Sequence, residues 1–207
     1  MLGERGVVRA PLPGTGVSMM VGPVSPLTAD ALKEKPPTEV IAFLREWLPS
    51  YDLTAPSPEG LGRLLTEVIA SDPRVWSGLA SDFQVGMNPT YVRSYLEGLS
   101  RSASTPGVLE WKSVLGLCAW VMAQPRELSG DTERNEDPDW SWTRRTIASL
   151  LQHGLQRELG LPFEHRQSAW SILEGLATDP DPIPEEASYE RDAESIPLNS
   201  VRGVTLH

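Results

Sequence analysis

Apolar residues recur at intervals of three and four positions through most of the chain, as they do on the buried face of an α-helix. No segment alternates convincingly between apolar and polar residues in the way that a half-buried strand does. The sequence therefore predicts an all-α protein. The predicted helices span about 26–33, 38–48, 108–122, 139–159 and 162–176, and further helices begin at Pro58, Pro73 and Pro89.

Capping residues followed by proline mark where several of these helices begin, as at Ser57-Pro58, Asp72-Pro73 and Asn88-Pro89. A capping side chain accepts hydrogen bonds from the free amides of the first turn. Proline suits the next position because its missing N–H would have had no partner there. Gly160 is the predicted stop of the helix that begins near Asp139.

The predicted helix starts are evenly spaced along the middle of the chain. Starts near positions 58, 73, 89 and 107 lie about 15 to 18 residues apart, so a pair of helices recurs roughly every 31 to 34 residues. That period is typical of helical-hairpin repeats, although no position-by-position motif repeats. We therefore predict helical hairpins stacked as a short α-solenoid or packed as an irregular bundle.

Composition divides the chain into four regions. Residues 1–24 read as a flexible lead-in, 25–178 as the helical array, 179–198 as an acidic Pro-rich loop and 199–207 as the start of a further helix. A terminal repeat usually has a polar outer face, and an amphipathic helix seldom stops after two turns. We therefore expect this polypeptide to be part of a longer helical array.

The net charge of −10 is concentrated in two stretches, residues 127–139 and 179–194, which hold 13 of the 28 acidic residues. The rest of the chain is nearly neutral and has no cluster of Lys and Arg, which disfavours nucleic acid as a partner. No apolar run approaches the roughly 18 residues that span a bilayer, and no signal-peptide core is present. Cys118 is the single cysteine, so we expect no internal disulfide. Together with the absence of a bilayer-length apolar run and of a signal-peptide core, this predicts no membrane association and a cytoplasmic location.

No catalytic or metal-binding constellation can be assembled from the sequence. His153, His165 and His207 lack the short paired spacing of zinc ligands, and no second cysteine accompanies Cys118. Cys118 lies among apolar residues of a predicted helix and is read as a core residue rather than as a nucleophile. The prediction is therefore a protein without enzyme activity, cofactor or metal.

The two acidic stretches were compared with calcium-binding loops. Acidic or amide side chains alternate at every second position from Asp131 to Asp139, but Glu136 replaces the glycine of the sharp turn and Trp142 replaces the bidentate glutamate. In the second stretch Pro184 occupies the glycine position. Solvated acidic loops are the preferred interpretation of both, with calcium binding as an alternative.

Most of the tryptophans are predicted to lie in the core. The apolar face of the last long helix, which includes Phe163 and Trp170, is also predicted to face inward. Trp140 and Trp142 lie 200° apart on a helix, so one of them is expected at the surface or under a loop, and packing of both rings under the loop is the preferred alternative to a partner contact. Beside acidic residues, an aromatic side chain is suited to a protein contact. The candidate partner-contact residues are Trp140, Trp142, Asp137 and Asp139.

Four phrases of the sequence resemble pieces of helical-repeat regions in large bacterial multidomain proteins, some of which join an NTPase module to a helical sensor. They are Trp120–Glu127, Asp137–Trp142, Asp179–Pro182 and Asn199–Gly203, and the resemblance covers about residues 25–207. It implies a HEAT-like scaffold or recognition segment. We therefore expect a non-catalytic interaction module that binds a protein or adjoining domains. The alternative is a small helical enzyme or ligand-binding protein whose site forms only in three dimensions.

Overall fold

Helices provide the regular structure of this protein. The computed structural model describes residues 23–50, 55–125, 137, 139–156, 160–180 and 200–206, and no strand element forms among them. The all-α prediction is confirmed. The helices are α1 (Ala29–Lys33), α2 (Pro37–Glu46), α3 (Pro58–Ser71), α4 (Pro73–Gly78), α5 (Pro89–Ser100), α6 (Trp111–Met122), α7 (Ser141–Leu155), α8 (Arg166–Ala177) and α9 (Val201–Leu206), with 3₁₀ turns at Ala80–Phe83 and Phe163–His165.

The predicted capping signals at the starts of α3, α4 and α5 are confirmed. Ser57 Oγ accepts a hydrogen bond from the Gly60 amide at 3.1 Å, and Asn88 Oδ1 accepts one from the Thr90 amide at 2.9 Å. Asp72 Oδ1 makes the corresponding bond to the Val75 amide. A proline occupies the first position of each of these helices. Each cap contributes about 1 kcal/mol to the stability of its helix.

The helices pack in two layers that follow the order of the chain. In layer one, α1 packs on α3, α3 on α5, α5 on α7 and α7 on α9. In layer two, α4 and the 3₁₀ turn Ala80–Phe83 pack on α6, and α6 packs on α8. Each helix of layer two follows its layer-one neighbour in sequence, so α3–α4, α5–α6 and α7–α8 are successive hairpins.

The closest contact in layer one is between α3 and α5, where glycine and small polar residues let the two backbones approach. A Cβ atom added at Gly98 would lie 2.8 Å from Ile69 Cβ and 2.9 Å from the Thr66 carbonyl oxygen. Thr66 Oγ1 in turn donates a hydrogen bond across the interface to the Ser94 carbonyl at 3.0 Å. Any side chain at position 98 would therefore push the helices apart.

Aromatic rings fill the space between the two layers. Phe83 stacks on Tyr95 with ring centroids 4.0 Å apart and meets Trp76 edge-on. The Tyr95 hydroxyl donates a hydrogen bond to the Trp76 carbonyl at 2.8 Å, so its polar atom is satisfied inside the core. Trp111 likewise donates from Nε1 to the Gly160 carbonyl. Cys118 is fully buried nearby on α6, which confirms its prediction as a core residue.

The structure corrects several boundaries and core assignments. Helix α7 ends at Leu155, before Gly160, and α6 begins at Trp111 rather than at position 108. Phe163 and Trp170 were expected to face inward, but they are 83% and 62% exposed. Ala169, Ile172 and Leu176 form the buried face of α8, and successive helical residues differ by about 100°, so Trp170 points to solvent.

Some predicted regions lie partly or wholly outside the described residues. Most of the lead-in, residues 1–22, and most of the second acidic stretch, residues 181–199, belong to this group. At the edge of the lead-in the Val24 carbonyl accepts a hydrogen bond from the Ser57 amide. In the final region Ser200 Oγ accepts a bond from the Gly203 amide at the start of α9. None of the described helices is both long and apolar enough to cross a membrane.

Candidate partner-binding site

The outer surface of layer one carries rows of charge that join α3 to α5. Arg93 pairs with Glu59 across the two helices, and Arg101 pairs with Glu67 at 2.8 Å. Pairs four residues apart within each helix extend the network. These contacts close the α3–α5 seam with ion pairs. The residues of the two rows are Glu59, Arg63 and Glu67 on α3 and Arg93, Glu97 and Arg101 on α5.

The next seam, between α5 and α7, is open and forms a groove of about 420 Å³ that reaches Val204 of α9. The α7 wall of the groove contains Trp142 and Arg145 at one end and His153 at the other, with short polar side chains between them. Trp142 is 51% exposed, and the Arg145 guanidinium lies over its ring at 5.0 Å from the centroid. The groove therefore presents an aromatic surface beside positive charge.

Trp140 and Trp142 take opposite positions, as their 200° separation predicted. Trp140 is buried and packs edge-on against Trp120, with ring centroids 5.4 Å apart. Trp142 lies in the groove. Asp139 Oδ1 accepts a hydrogen bond from the Ser141 amide at 2.7 Å and so helps to begin α7. Of the four candidate contact residues, only Trp142 is shown in the groove, and the packing of Trp140 decides which ring is buried.

Asp137, another candidate contact residue, is buried in an ion pair behind the groove. Its two carboxylate oxygens accept hydrogen bonds from Arg93 Nε at 2.8 Å and from Arg93 Nη2 at 3.2 Å. Burial raises the pKa of Asp137, and Arg93 offsets this only in part. At Glu59 burial acts in the same direction, but the bonds and charges of Arg93 and Arg63 outweigh it and hold its pKa below the usual value. Arg93 thus organises three carboxylates.

A second buried ion pair ties the other acidic stretch to α7. Arg144 donates from Nη1 to Asp179 Oδ2 at 3.0 Å and from Nη2 to the Gln124 carbonyl. Asp137 and Asp179 are 3% and 4% exposed, so the prediction of solvated acidic loops is wrong for these two residues. Each bears a carboxylate that an arginine of the helical array neutralises. Residues 127–136 and 181–194, which hold the other acidic residues of the two stretches except Asp139, lie outside the described ones.

The described residues contain no group of three or more His, Cys, Asp and Glu side chains arranged to hold a metal ion. The proposed calcium ligands Asp131, Glu133 and Asn135 lie outside the described residues. His153 and His165 are not brought together, because His165 lines a separate groove of about 640 Å³ between α6 and α8. The sequence offered no signal for either groove, since each depends on which helices become neighbours.

One contact in the α5–α7 groove has the geometry of a nucleophile and its base. Ser100 Oγ lies 2.8 Å from His153 Nδ1. Ser100 is, however, the last residue of α5, where the helix presents carbonyl groups and partial negative charge. That partial negative charge opposes a serine alkoxide, so the groove is better suited to binding than to nucleophilic catalysis.

Comparisons with protein-family models, with curated proteins and with solved structures find no match to this chain.

Proposed function

We propose that this protein is a non-catalytic helical scaffold whose α5–α7 groove binds an acidic segment of a partner protein or of an adjoining domain. The observation that carries the proposal is the half-exposed Trp142 set in a groove with arginine side chains. Tryptophan and arginine are the residues that most often dominate the binding energy of protein interfaces. The proposed setting is the cytoplasm.

The charge of the groove supports an acidic partner. Three arginines, Arg93, Arg101 and Arg145, and one carboxylate, Glu97, line it, and Glu67 of α3 pairs with Arg101 from outside the groove. The Arg93 charge is largely balanced by Asp137 and its neighbours, so it acts mainly as a structural element. Arg101 has 51% of its side chain exposed even while paired with Glu67, so a carboxylate of a partner can reach it. Such an interaction weakens as salt is added.

The layered packing supports the scaffold part of the proposal. Sequential packing of α3 on α5 and of α5 on α7, with α4, α6 and α8 in a second layer, is the arrangement that stacked helical hairpins produce. We therefore interpret the chain as a HEAT-like repeat segment of the kind found in large bacterial multidomain proteins. Repeat scaffolds expose long continuous surfaces between neighbouring helices, and the α5–α7 groove is one such surface.

A peptide titration tests the groove. The probe is a synthetic ten-residue peptide of alternating Glu and Phe, and the control peptide replaces every Glu with Lys. We expect the acidic peptide to shift the NMR signals of the Trp142 indole and of Arg101 with saturation, and the shifts to weaken at high salt. Trp142→Ala should weaken binding about 10-fold or more, in the range of an interface hot spot.

The matched control variant is Val85→Ala, because Val85 is 78% exposed and lies in the turn that precedes α5, outside the groove. This variant should bind the acidic peptide like the wild type. Shifts that map outside the α5–α7 groove, or unchanged affinity in Trp142→Ala, would contradict the proposed binding site.

The Ser100–His153 contact favours one alternative function, a small helical hydrolase. A fluorophosphonate probe distinguishes the two, because it labels only an activated serine. We expect no labelling of the wild-type protein beyond that of Ser100→Ala. Stoichiometric labelling of Ser100 would replace the scaffold interpretation with the enzymatic one.

A further inference from the structure

Two large aromatic side chains are exposed on α8 and on the 3₁₀ turn that precedes it. Trp170 of α8 is 62% exposed and Phe163 of the turn is 83% exposed. The guanidinium of Arg166, one helical turn before Trp170, lies over the Phe163 ring at 5.8 Å from its centroid, so Phe163 lies on the same side as Arg166. Neither faces the core, which Ala169, Ile172 and Leu176 contact. The side of α8 that faces α6 is not the side that carries Trp170, since Ser168, Ser171 and Gly175 line the α6–α8 groove. An apolar face of this kind marks an interaction surface.

The face lies where layer two would continue. Within the described residues α4, α6 and α8 pack in order, and α8 is the last helix of that series. Trp170 points away from α6, because Ser168 and Ile172, which line the α6–α8 groove, are each two residues and so about 200° around the helix from it. A helix that covered Trp170 would therefore extend the packing that already joins α6 to α8.

The charges on this face are complementary to a second copy of the same face. Arg166, Trp170 and Glu174 are spaced four residues apart on one side of α8 and are exposed. If two α8 helices cross antiparallel with Trp170 opposite Trp170, the register places Arg166 of each copy opposite Glu174 of the other. The same register brings the 3₁₀ turn with Phe163 beside the C-terminal end of the other α8, near Ala177. Both ends of the pair thus gain an opposite-charge contact and an aromatic contact.

We propose that two copies of this chain associate through α8 in an antiparallel, two-fold arrangement centred on Trp170. Two-fold pairing is the commonest form of homo-oligomer, and it requires a surface that is complementary to itself, as the α8 face is. The aromatic rings of both copies would bury on the order of 500 Å², which is about half of what a specific interface needs. The association should therefore be weak, with a dissociation constant of roughly 1 to 100 µM.

Sedimentation equilibrium of the 207-residue chain over a concentration series tests this surface independently of the α5–α7 groove. We expect the average mass of the wild type to rise from monomer toward dimer as concentration increases. Trp170→Glu should abolish the rise, because it places two negative charges together on the two-fold axis. Val85→Glu is the matched control, since it adds the same charge at a side chain that is 78% exposed elsewhere, and it should leave the rise intact.

A charge exchange tests the antiparallel register. Arg166→Glu and Glu174→Arg should each weaken dimerisation by about 3-fold or more, and the double variant, which swaps the two charges, should restore it. A wild type that stays monomeric at all concentrations would overturn the proposal, and so would a dimer that Trp170→Glu leaves intact. A dimer sensitive to Trp170→Glu but not restored by the charge exchange would overturn the antiparallel register. Loss of groove binding in Trp142→Ala leaves each of these outcomes unchanged.

Discussion

Replacement of Arg93 by methionine should strongly destabilise this fold. Methionine keeps the length and apolar stem of the side chain but removes the charge that Asp137 and Glu59 contact. The Arg93 side chain is 12% exposed and that of Asp137 is 5%, so the remaining carboxylate cannot be solvated without local opening. Removing one partner of such a pair costs about 3 kcal/mol or more.

The destabilisation caused by Arg93→Met should depend on pH, in a direction that the protonation of Asp137 and Glu59 sets. The pKa of Asp137 is already raised by burial, and the loss of Arg93 would raise it further. The pKa of Glu59 is lowered in the fold, so this group contributes stability above its unfolded pKa, and the contribution is lost as pH falls through the folded value. Arg93→Met should therefore cost most near pH 7 and less as the pH falls and the carboxylates left without Arg93 become protonated.

Urea and thermal unfolding followed by tryptophan fluorescence measure the effect. A cost of about 3 kcal/mol corresponds to a fall in Tm of roughly 6 to 12 °C for a chain of this size. The matched control is the double variant Arg93→Met with Asp137→Asn, which removes the uncompensated charge and should recover much of the lost stability. A single variant within about 0.5 kcal/mol of wild type at pH 7, or a loss that grows on acidification, would refute the reasoning.

Two further predictions concern the core. Gly98→Ala should lower the free energy of unfolding by about 1 to 3 kcal/mol, because its Cβ would meet Ile69 Cβ at 2.8 Å, whereas Gly116→Ala, with no atom within 4 Å, should raise it by up to about 1 kcal/mol. Equal effects in urea melts of the two variants would contradict the close packing of α3 on α5. Burial raises the pKa of the Cys118 thiol to about 12, so a disulfide reagent at pH 8 should label the native chain roughly 1,000-fold more slowly than the chain in guanidinium. Rapid labelling of the native chain would show that α6 is not packed as described.

The all-α class and most helix positions could be predicted because their causes are local. A capping side chain such as Ser57 or Asn88 bonds to an amide only two or three residues away, so sequence spacing alone specifies the contact. The apolar periodicity likewise identifies which side of α3 or α5 is buried. Boundaries at α6 and α7 were less accurate, because packing and loop contacts decide where a helix frays.

The binding groove could be predicted only in part. The 200° separation of Trp140 and Trp142 predicted that the two rings would not share one face, whereas the contact of Trp140 with Trp120 on the preceding helix α6 decided which of them is buried. The partners of Asp137 and Asp179 could not be predicted, because Arg93 and Arg144 reach them across 44 and 35 residues of sequence. From the sequence alone, acidic residues in a polar stretch are predicted to be solvated, because the distant arginine that pairs with them is not known.

The sequence by itself determined the helices, their caps and the core role of Cys118, since each follows from neighbours within one or two turns. Tertiary structure alone decided which helices became neighbours, and with them the α5–α7 groove, the two buried ion pairs and the exposed face of α8. The physical reason is the sequence distance between the contacting residues. Hydrogen bonds within a helical turn join residues that are three or four positions apart, so the local sequence specifies them. The burial of a charge or a ring depends instead on what another part of the chain places against it.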